Sequence, residues 1–413
     1  MQDLRSTGLR SVKGYYRENR FLILVFILAL VLRLVVLFAE GDRMFLGTDD
    51  DNYRESAEVL LRTGVLTYGG WPEPTVFIMP GYPVFLAVIF DLVGSISWLA
   101  VRLFQVIVSL VAIWFGAKLA DYMGGRVVGL VTAMIMAVYP PNLTAPCFLM
   151  TEVLFTTLFL LSIFLFIRAS ESGENRWFLL TGFVLAVTTY FRPIGGPLPF
   201  IFAIYLYFKG WPWRLVFYKT FITGVVFLAV LSPWIIRNYI VYREFIPFTV
   251  SGGNPFLRGT YINGKITEKF PWVKGERILS DRAQMDYGRK RLVQGLRKDF
   301  KEYLRWYTVG KFKDFWAGPY YYKALTYLPV EMVNMFHRAL LWTGVIGALL
   351  SLWQRKPAIL LFGLICVYFT LLHMVYLTGP RYSFPVMQLV IVLSACSIVE
   401  GVKYLGLLCG RTD

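Results

Sequence analysis

Charged residues are scarce in this chain of 413 residues, where Asp, Glu, Lys and Arg make up 16% and hydrophobic residues 57%. Soluble domains carry about 25% charged residues, so this composition excludes an ordinary globular protein and indicates a polytopic membrane protein. A small-residue cleavage site is also lacking after the first apolar run, Phe21 to Ala39, which follows a basic segment. We therefore predict that this run remains as a membrane helix and is not removed as a signal peptide.

Metal-binding residues are scarce as well. The two histidines, His337 and His373, lie far apart in apolar runs, and the four cysteines form no CxxC pair. This pattern argues against a His/Cys metal site and against a disulfide framework.

Positive charge is in excess, with a formal net charge of +16. Such an excess could indicate nucleic-acid binding, but Lys and Arg concentrate in short loops between apolar runs, where basic residues orient membrane proteins. We favour the topological interpretation, with no nucleic acid as partner. The charge distribution predicts a multi-pass protein of the plasma (inner) membrane with both termini in the cytoplasm.

The predicted fold class is an all-α polytopic membrane protein with about ten transmembrane helices. The run Gly81 to Val93 is too short to cross comfortably, and a crossing there would move Lys118 and Arg126 outside, against the charge rule. We therefore predict a juxtamembrane or re-entrant helix for it. The predicted spans are Phe21 to Ala39, Leu99 to Ala120, Arg126 to Tyr139, Met150 to Ile167, Trp177 to Tyr190, Pro197 to Phe208, Leu215 to Ile236, Met332 to Trp353, Ala358 to Leu377 and Val386 to Leu405.

Three regions follow from this topology. Residues 1–236 form an N-terminal transmembrane module whose first external loop, 40–98, is predicted to be catalytic. Residues 237–330 contain no run long enough to span and form an external segment, in which helical periodicity extends from Arg282 to Phe312. Residues 331–413 carry the C-terminal transmembrane helices.

Three adjacent carboxylates, Asp49, Asp50 and Asp51, follow the first span on its outer side. They could simply begin a helix, because Thr48 can cap it and acidic residues suit a first turn. The alternative is a functional role, and it rests on position. Like charges at the mouth of a membrane helix oppose one another's ionisation unless water, cations or a substrate meets them. Beside a short helix and a large external segment, they become candidate catalytic groups.

Arginines recur at the outer ends of the predicted spans and in the external segment. Each alone fits a residue whose charged head reaches the membrane interface. Several converging on one side would bind phosphate well, because guanidinium groups bind its oxygens bidentately and stay charged. A base on one outer turn and arginines on others suit transfer from a lipid phosphate. The candidates are Arg102, Arg192, Arg237, Arg258 and Arg381.

Short motifs then follow one another along nearly the whole chain. They are Asp49-x-x-x-Tyr53-x-x-x-Ala57-x-x-Leu60, Pro80-Gly81-Tyr82-Pro83, Arg102-Leu103-x-Gln105, Thr151-Glu152-x-Leu154-Phe155, Phe191-Arg192-Pro193, Pro233-Trp234-x-x-Arg237-Asn238-Tyr239, Ser251-Gly252-Gly253-Asn254 and Arg381-Tyr382-x-x-Pro385. In these the sequence resembles the polyprenyl-phosphate-dependent membrane glycosyltransferases of the GT-C class, which include protein O-mannosyltransferases and the lipid A aminoarabinose transferase.

The resemblance implies a lipid-linked sugar donor and an acidic base in the first external loop. Spacing to Tyr53 assigns the base to Asp49, with Asp50 and Asp51 as alternatives. Asp49 and Asp51 also resemble the DxD of metal-dependent oligosaccharyltransferase relatives, so a divalent cation is conditional on that pair, and no other cofactor is implied. The lysine that many relatives carry in the short helix is absent here. The donor phosphate is therefore assigned to Arg102, Arg192, Arg237, Arg381 and Tyr382, and the rest of the cleft to Tyr53, Tyr82, Glu152, Asn254 and Arg258.

The predicted function is a glycosyltransferase, specific for a hexosyl or pentosyl group. It would move a sugar from a polyprenyl-phosphate donor to a hydroxyl or amine of a glycan, lipid or protein on the outer face, with inversion. Two alternatives stay open. One is a carrier of lipid-linked sugars, and the other is a non-catalytic subunit of a glycan assembly complex.

Overall fold

The computed structural model describes residues 12–69, 72–273, 276–321 and 323–408, with side chains from residue 20 to residue 405. These ranges are helical and contain no β-strand. The first nine helices are α1 (Val12–Glu40), α2 (Asp49–Thr63), α3 (Gly81–Val93), α4 (Trp98–Gly124), α5 (Arg126–Val138), α6 (Pro140–Thr144), α7 (Glu152–Ser172), α8 (Asn175–Phe191) and α9 (Leu198–Phe208). The others are α10 (Trp213–Tyr242), α11 (Gly253–Gly259), α12 (Arg277–Lys298), α13 (Phe300–Arg305), α14 (Lys311–Trp316), α15 (Val330–Trp353), α16 (Ile359–Val375) and α17 (Pro380–Leu408).

Six of the described helices are long and apolar enough to cross a membrane, namely α1, α4, α7, α10, α15 and α17. A seventh span results if α5 and the stretch Pro140–Cys147, bent by 63° from it, count as one. Every predicted span coincides with a helix, but α5, α8, α9 and α16 have 13, 17, 11 and 17 residues. The count of about ten is therefore not confirmed, whereas the all-helical multi-pass membrane class is.

The spans differ sharply in how much of their apolar surface the protein itself covers. Only 22% of the most apolar stretch of α10 is buried, and Phe217, Phe221 and Leu228 are exposed on it. In α17 the corresponding share is 83%, because α17 packs against α4, α5, α7, α14, α15 and α16. Helix α17 is thus the central helix of the bundle, and α10 presents its surface to lipid.

Glycines permit two close helix contacts. A Cβ on Gly347 of α15 would lie 1.8 Å from the carbonyl oxygen of Leu393 on α17, so only glycine allows this approach. A Cβ on Gly81, the first residue of α3, would lie 2.5 Å from the carbonyl oxygen of Tyr190. The second contact fixes the short helix α3 against the end of α8.

Arg33 is the only charged residue inside the first span, and its side chain is fully buried. Its Nε donates to Oγ of Ser109 at 2.8 Å, and Nη1 donates to the carbonyl oxygens of Ala29 at 3.1 Å and Ala137 at 3.3 Å. Nη2 donates to the carbonyl oxygen of Met136 at 3.4 Å. A buried charge is tolerated only when such hydrogen bonds replace water, so Arg33 joins α1 to α4 and α5.

We call the end of the bundle where α1 ends and α15 begins the loop end. Helix α2 ends before Gly64, whose positive φ (70°) stops it, and α3 has the predicted bounds. The periodic stretch from Arg282 to Phe312 is not one helix, because Asp299 leaves helical geometry (φ −145°) and its carboxylate accepts from the Glu302 N–H. Helices α12 and α13 therefore meet at a break.

Helix α14 is attached to the loop end by a buried lysine. Lys311 donates from Nζ to the carbonyl oxygens of Met374 at 2.9 Å and Tyr376 at 2.8 Å, just where α16 ends. Thr378 adds a hydrogen bond of 2.7 Å to Oδ2 of Asp314. These bonds fix α14 beside the turn that leads into α17.

Candidate active site

Asp49 and Arg381 face each other at the loop end. Nη1 of Arg381, the second residue of α17, donates to Oδ2 of Asp49, the first residue of α2, at 2.7 Å. The hydroxyl of Tyr68 donates to the other oxygen, Oδ1, at 3.1 Å. The Asp49 side chain is 38% exposed, so its carboxylate is positioned by two donors and still open to an incoming molecule.

Glu152, the first residue of α7, lies beneath this pair and is 1% exposed. Its Oε1 accepts from Nε of Arg381 and from Nη2 of Arg192, the latter at 3.2 Å. Its Oε2 is buried and has no hydrogen-bond partner among the described residues. Two carboxylates and two guanidinium groups thus alternate in a row, which we call the ionic row: Asp49, Arg381, Glu152 and Arg192.

Aromatic rings form the wall beside the ionic row. The guanidinium of Arg192 lies 5.9 Å from the ring centre of Tyr382, within the range of a cation–π contact. Tyr382 in turn stacks on His373 of α16, with ring centres 4.5 Å apart. Arg192 is also 5.7 Å from the ring of Phe155. These contacts hold the cationic end of the row in one place.

Three tyrosines pack on the Asp49 side. The Tyr53 ring lies 6.0 Å from that of Tyr68 and 5.0 Å from that of Tyr82. Burial raises the pKa of Tyr68 and Tyr53 above the ordinary value, and nearby Asp49 raises both further. Tyr68 therefore stays protonated and acts as a hydrogen-bond donor to Asp49.

The neighbouring carboxylates do not join the ionic row. Asp50 is fully buried, and its two oxygens accept from the backbone N–H groups of Thr48 at 2.9 Å and Leu46 at 2.7 Å. The side chain of Thr48 makes no cap hydrogen bond, so Asp50 fixes the turn before α2 instead. Asp51 pairs with Arg54 at 3.2 Å on the helix surface.

The other predicted phosphate ligands lie elsewhere. Arg102 is buried and donates to the carbonyl oxygens of Cys147 at 2.8 Å and Met44 at 3.0 Å, which joins two loops. Arg237 donates to the carbonyl oxygen of Thr75 at 2.8 Å and lies over the ring of Trp234. Both guanidinium groups donate to protein oxygens, and neither forms a hydrogen bond to Asp49 among the described residues.

Of the five residues predicted to line the rest of the cleft, three lie at the ionic row and two do not. Glu152, Tyr53 and Tyr82 lie in or beside the ionic row. Asn254 instead donates from Nδ2 to Oε1 of Gln284 of α12 at 2.9 Å, and Arg258 is exposed at the end of α11. Sequence reasoning missed Tyr68 and His373. No periodicity or spacing distinguishes either of them from other aromatic or apolar-run residues.

The residues present do not fit a divalent cation held by Asp49 and Asp51. Two positions apart on an α-helix, their side chains point about 200° apart. Asp49 faces Arg381, and Asp51 faces Arg54. No group of three or more His, Cys, Asp or Glu side chains with metal-binding geometry occurs in the part of the chain that the structure describes.

Residues 74–236 match the family described as dolichyl-phosphate-mannose-protein mannosyltransferase. The matched range includes α3, α4, Glu152 and Arg192, but not Asp49 or Arg381. None of the curated proteins matches the chain by sequence.

Solved membrane enzymes share the fold over almost the whole chain. The oligosaccharyltransferase AglB of Archaeoglobus fulgidus, in complex with an inhibitory peptide and a dolichol-phosphate, matches 96% of this chain with a TM-score of 0.63 at 12% identity. ArnT of Cupriavidus metallidurans, bound to undecaprenyl phosphate, matches 94% with a TM-score of 0.58 at 16% identity. The AglB protein was also solved as a complex with zinc and sulfate.

The chain spans 52% of the AglB chain and 63% of the ArnT chain. At these identities the likeness shows the fold. The resemblance seen in the sequence motifs is confirmed, and the fold is that of the GT-C membrane glycosyltransferases.

Proposed function

We propose that this chain is a membrane glycosyltransferase that moves a sugar from a polyprenyl-phosphate donor to an acceptor hydroxyl or amine. The observation that carries the proposal is the ionic row, in which a partly exposed carboxylate lies next to two guanidinium groups held by a buried glutamate. The GT-C fold and the polyprenyl phosphates bound by AglB and ArnT support the choice of donor.

The donor phosphate would bind to Arg381 and Arg192. Without donor, the two carboxylates balance the two guanidinium groups, and Asp49 is the more exposed of the two carboxylates. An incoming phosphate would replace Asp49 as the partner of Arg381, because guanidinium binds phosphate oxygens strongly and bidentately. Glu152 would stay in place beneath both arginines and keep them together.

Displacement from Arg381 would leave Asp49 free to act as the general base. The acceptor oxygen or nitrogen forms a bond to the anomeric carbon while the bond from that carbon to the phosphate oxygen breaks. Asp49 takes the acceptor proton, and the polyprenyl phosphate leaves with the electron pair, stabilised by both arginines. A single displacement of this kind inverts the anomeric configuration.

The charge distribution supports an outer-face site. The loop end carries α2, α3 and the external segment, and the basic loops between spans lie at the other end. By the positive-inside rule, both termini would be cytoplasmic and the ionic row would open outside. The division into residues 1–236, 237–330 and 331–413 belongs to the same proposal.

The carrier alternative predicts ionisable residues near mid-span that face a path for cargo. Arg33 is the one charged residue within the first span, but all three of its nitrogens donate to protein oxygens. Its role in the fold is therefore structural, which favours the enzyme over the carrier.

The test uses the full chain purified into lipid nanodiscs, supplied with polyprenyl-phosphate hexoses and pentoses labelled in the sugar, and with cell-envelope extract as acceptor. We expect release of free polyprenyl phosphate together with labelled product. Asp49→Asn should lower this rate about a hundredfold or more, because the base is lost. Asp51→Asn is the matched control, two residues away, and should retain most of the activity.

Full activity of Asp49→Asn would overturn the proposed base. Movement of intact donor across a proteoliposome membrane without release of polyprenyl phosphate would identify a carrier. Saturable binding of donor without any turnover, with every donor and acceptor fraction, would identify a non-catalytic subunit.

A further inference from the structure

A groove of about 730 Å³ runs along the outside of the bundle between α15 and α16. Helix α15 packs along α17 but barely touches α16, so a gap remains with α17 as its floor. Gly344 of α15 contributes to this shape, since a Cβ there would lie 2.6 Å from Cγ1 of Val390. The groove is therefore a product of how these three helices pack.

The walls of the groove are apolar along the membrane part of the helices. Trp342, Val345 and Ala348 of α15 face Val367 and Leu371 of α16 across it. With α15 crossing a bilayer, such an apolar slot on the outside of the bundle would open to the hydrocarbon region. A hydrocarbon chain is the ligand that this lining would bind.

The groove is positively charged where it reaches the loop end of the bundle, in contrast to its apolar walls. Lys313 of α14 and Arg338 of α15 line it there, both with exposed side chains, and no acidic residue lines the groove in the described part of the chain. Trp316 forms the roof, where its Nε1 donates to Oγ1 of Thr370 at 3.2 Å. Two cations above an apolar slot are complementary to an anionic headgroup attached to an apolar chain.

The length of the groove indicates which kind of hydrocarbon chain would fit it. From Arg338 to Ala348, ten residues of α15 rise about 15 Å. Half of the hydrocarbon core of a bilayer is also about 15 Å thick. A fatty acyl chain of one leaflet fits this length, whereas a polyprenyl chain is several times longer.

We propose that this groove binds an anionic glycerophospholipid, with one acyl chain between α15 and α16 and its phosphate between Lys313 and Arg338. The site differs from the ionic row, because Arg381 and Glu152 meet on the side of α17 that faces α7. One hydrogen bond nevertheless connects the groove to the turn before α17. Helix α14 carries Lys313 and Trp316, and Asp314 of the same helix accepts from Thr378, three residues before Arg381.

The test uses the purified full chain and phosphatidylglycerol with a photoactivatable diazirine in its acyl chain. We expect cross-links in peptides containing residues 338–348 and 366–374. Unlabelled phosphatidylglycerol should compete for this labelling, and phosphatidylcholine should compete much less. The double variant Lys313→Gln/Arg338→Gln should weaken competition by phosphatidylglycerol about tenfold, because two charge-assisted hydrogen bonds are lost.

Two further variants separate charge from shape. Ala348→Trp fills the groove and should abolish labelling while the two cations remain. Arg289→Gln/Lys301→Gln removes two exposed cations of α12 and α13 outside the groove and should leave labelling unchanged.

Equal competition by phosphatidylcholine would overturn the proposal, since it would show an ordinary annular lipid contact. Preferential competition by undecaprenyl phosphate would also overturn it, and would assign the groove to the sugar donor's lipid. Unchanged thermal unfolding of each variant in detergent verifies that loss of labelling is not loss of fold.

Discussion

Arg192 and Arg381 donate to the same oxygen atom, Oε1 of Glu152, although they come from the end of α8 and the start of α17. Two guanidinium groups held this close would repel each other without the buried carboxylate between them. The positions of both guanidinium groups in the ionic row therefore depend on Glu152.

Glu152→Gln should destabilise the fold and impair the proposed transfer. The neutral amide removes the carboxylate that Arg192 and Arg381 share and leaves only Asp49 opposite Arg381. Breaking a buried ion pair in this way costs about 3–5 kcal/mol. We expect a lower unfolding temperature in detergent and weaker binding of polyprenyl phosphate. The matched control is Glu244→Gln, which removes an exposed pair with Arg282 and should change stability by less than about 1 kcal/mol. Equal unfolding temperatures for the two variants would contradict this role of Glu152.

Asp50→Asn should reduce stability without a specific effect on catalysis. An amide offers one acceptor oxygen where the carboxylate offers two, so the N–H of Thr48 or Leu46 loses its partner. Leaving such a group unsatisfied costs about 1–3 kcal/mol. Thermal unfolding measures this loss, and activity per folded molecule should stay near that of the unmodified protein. A loss of kcat as large as that of Asp49→Asn, with normal stability, would show instead that Asp50 is the base.

Tyr68→Phe should lower kcat with little change in the KM for the donor. The phenol positions Asp49 by a hydrogen bond and does not contact the arginines that would hold the phosphate. We expect a decrease of about tenfold, the effect of losing one hydrogen bond to a charged group. Tyr261→Phe is a matched control, since that hydroxyl also donates to a carboxylate, Oε1 of Glu268 at 2.9 Å, and neither residue belongs to the ionic row. A rise in KM with unchanged kcat would place Tyr68 in substrate binding.

Lys311 should make stability depend on pH. Burial lowers the pKa of Lys311 from its ordinary value of 10.5 to about 7, with Asp314 opposing part of the shift. Between pH 7 and 10.5 the unfolded chain holds this proton and the folded chain does not, so stability should rise with pH across this window and be constant below it.

The measurement is thermal unfolding of the purified protein at several pH values from 6 to 10. Lys311→Met should remove the rise in unfolding temperature between pH 7 and 10 that Lys311 causes, whatever its effect on absolute stability. Lys313→Met, two residues along on the exposed side of α14, should leave the slope intact. An unchanged slope in Lys311→Met would show that another group titrates.

The helices could be predicted from the sequence because apolar runs and glycine stops are local signals. The bounds of α3 and the end of α2 at Gly64 follow from them directly. The break at Asp299 was missed, since helical periodicity continues on both sides of a single capping residue. The number of spans was also not predictable from run length alone, because short helices such as α9 and α16 are covered partly by their neighbours.

The site was predictable only in part. The motif spacing to Tyr53 selected Asp49, and Arg192, Arg381, Tyr382 and Glu152 do lie together. Arg102 and Arg237 lie at span ends with the same local sequence character, but their guanidinium groups turn toward backbone carbonyls. Which way a long side chain points depends on the loops packed against it, and this information is distributed over distant parts of the chain.

The central position of α17 has a consequence for biogenesis. Helices leave the ribosome in chain order, and α17, which fills the space between α4, α5, α7 and α15, is synthesised after all of them. Until it arrives, the earlier helices surround an unfilled interior, and Glu152 lacks one of its two cations. A chain truncated before Pro380 should therefore insert its earlier helices but leave the loops between them open to protease, and addition of residues 380–408 should complete both the core and the site in one event.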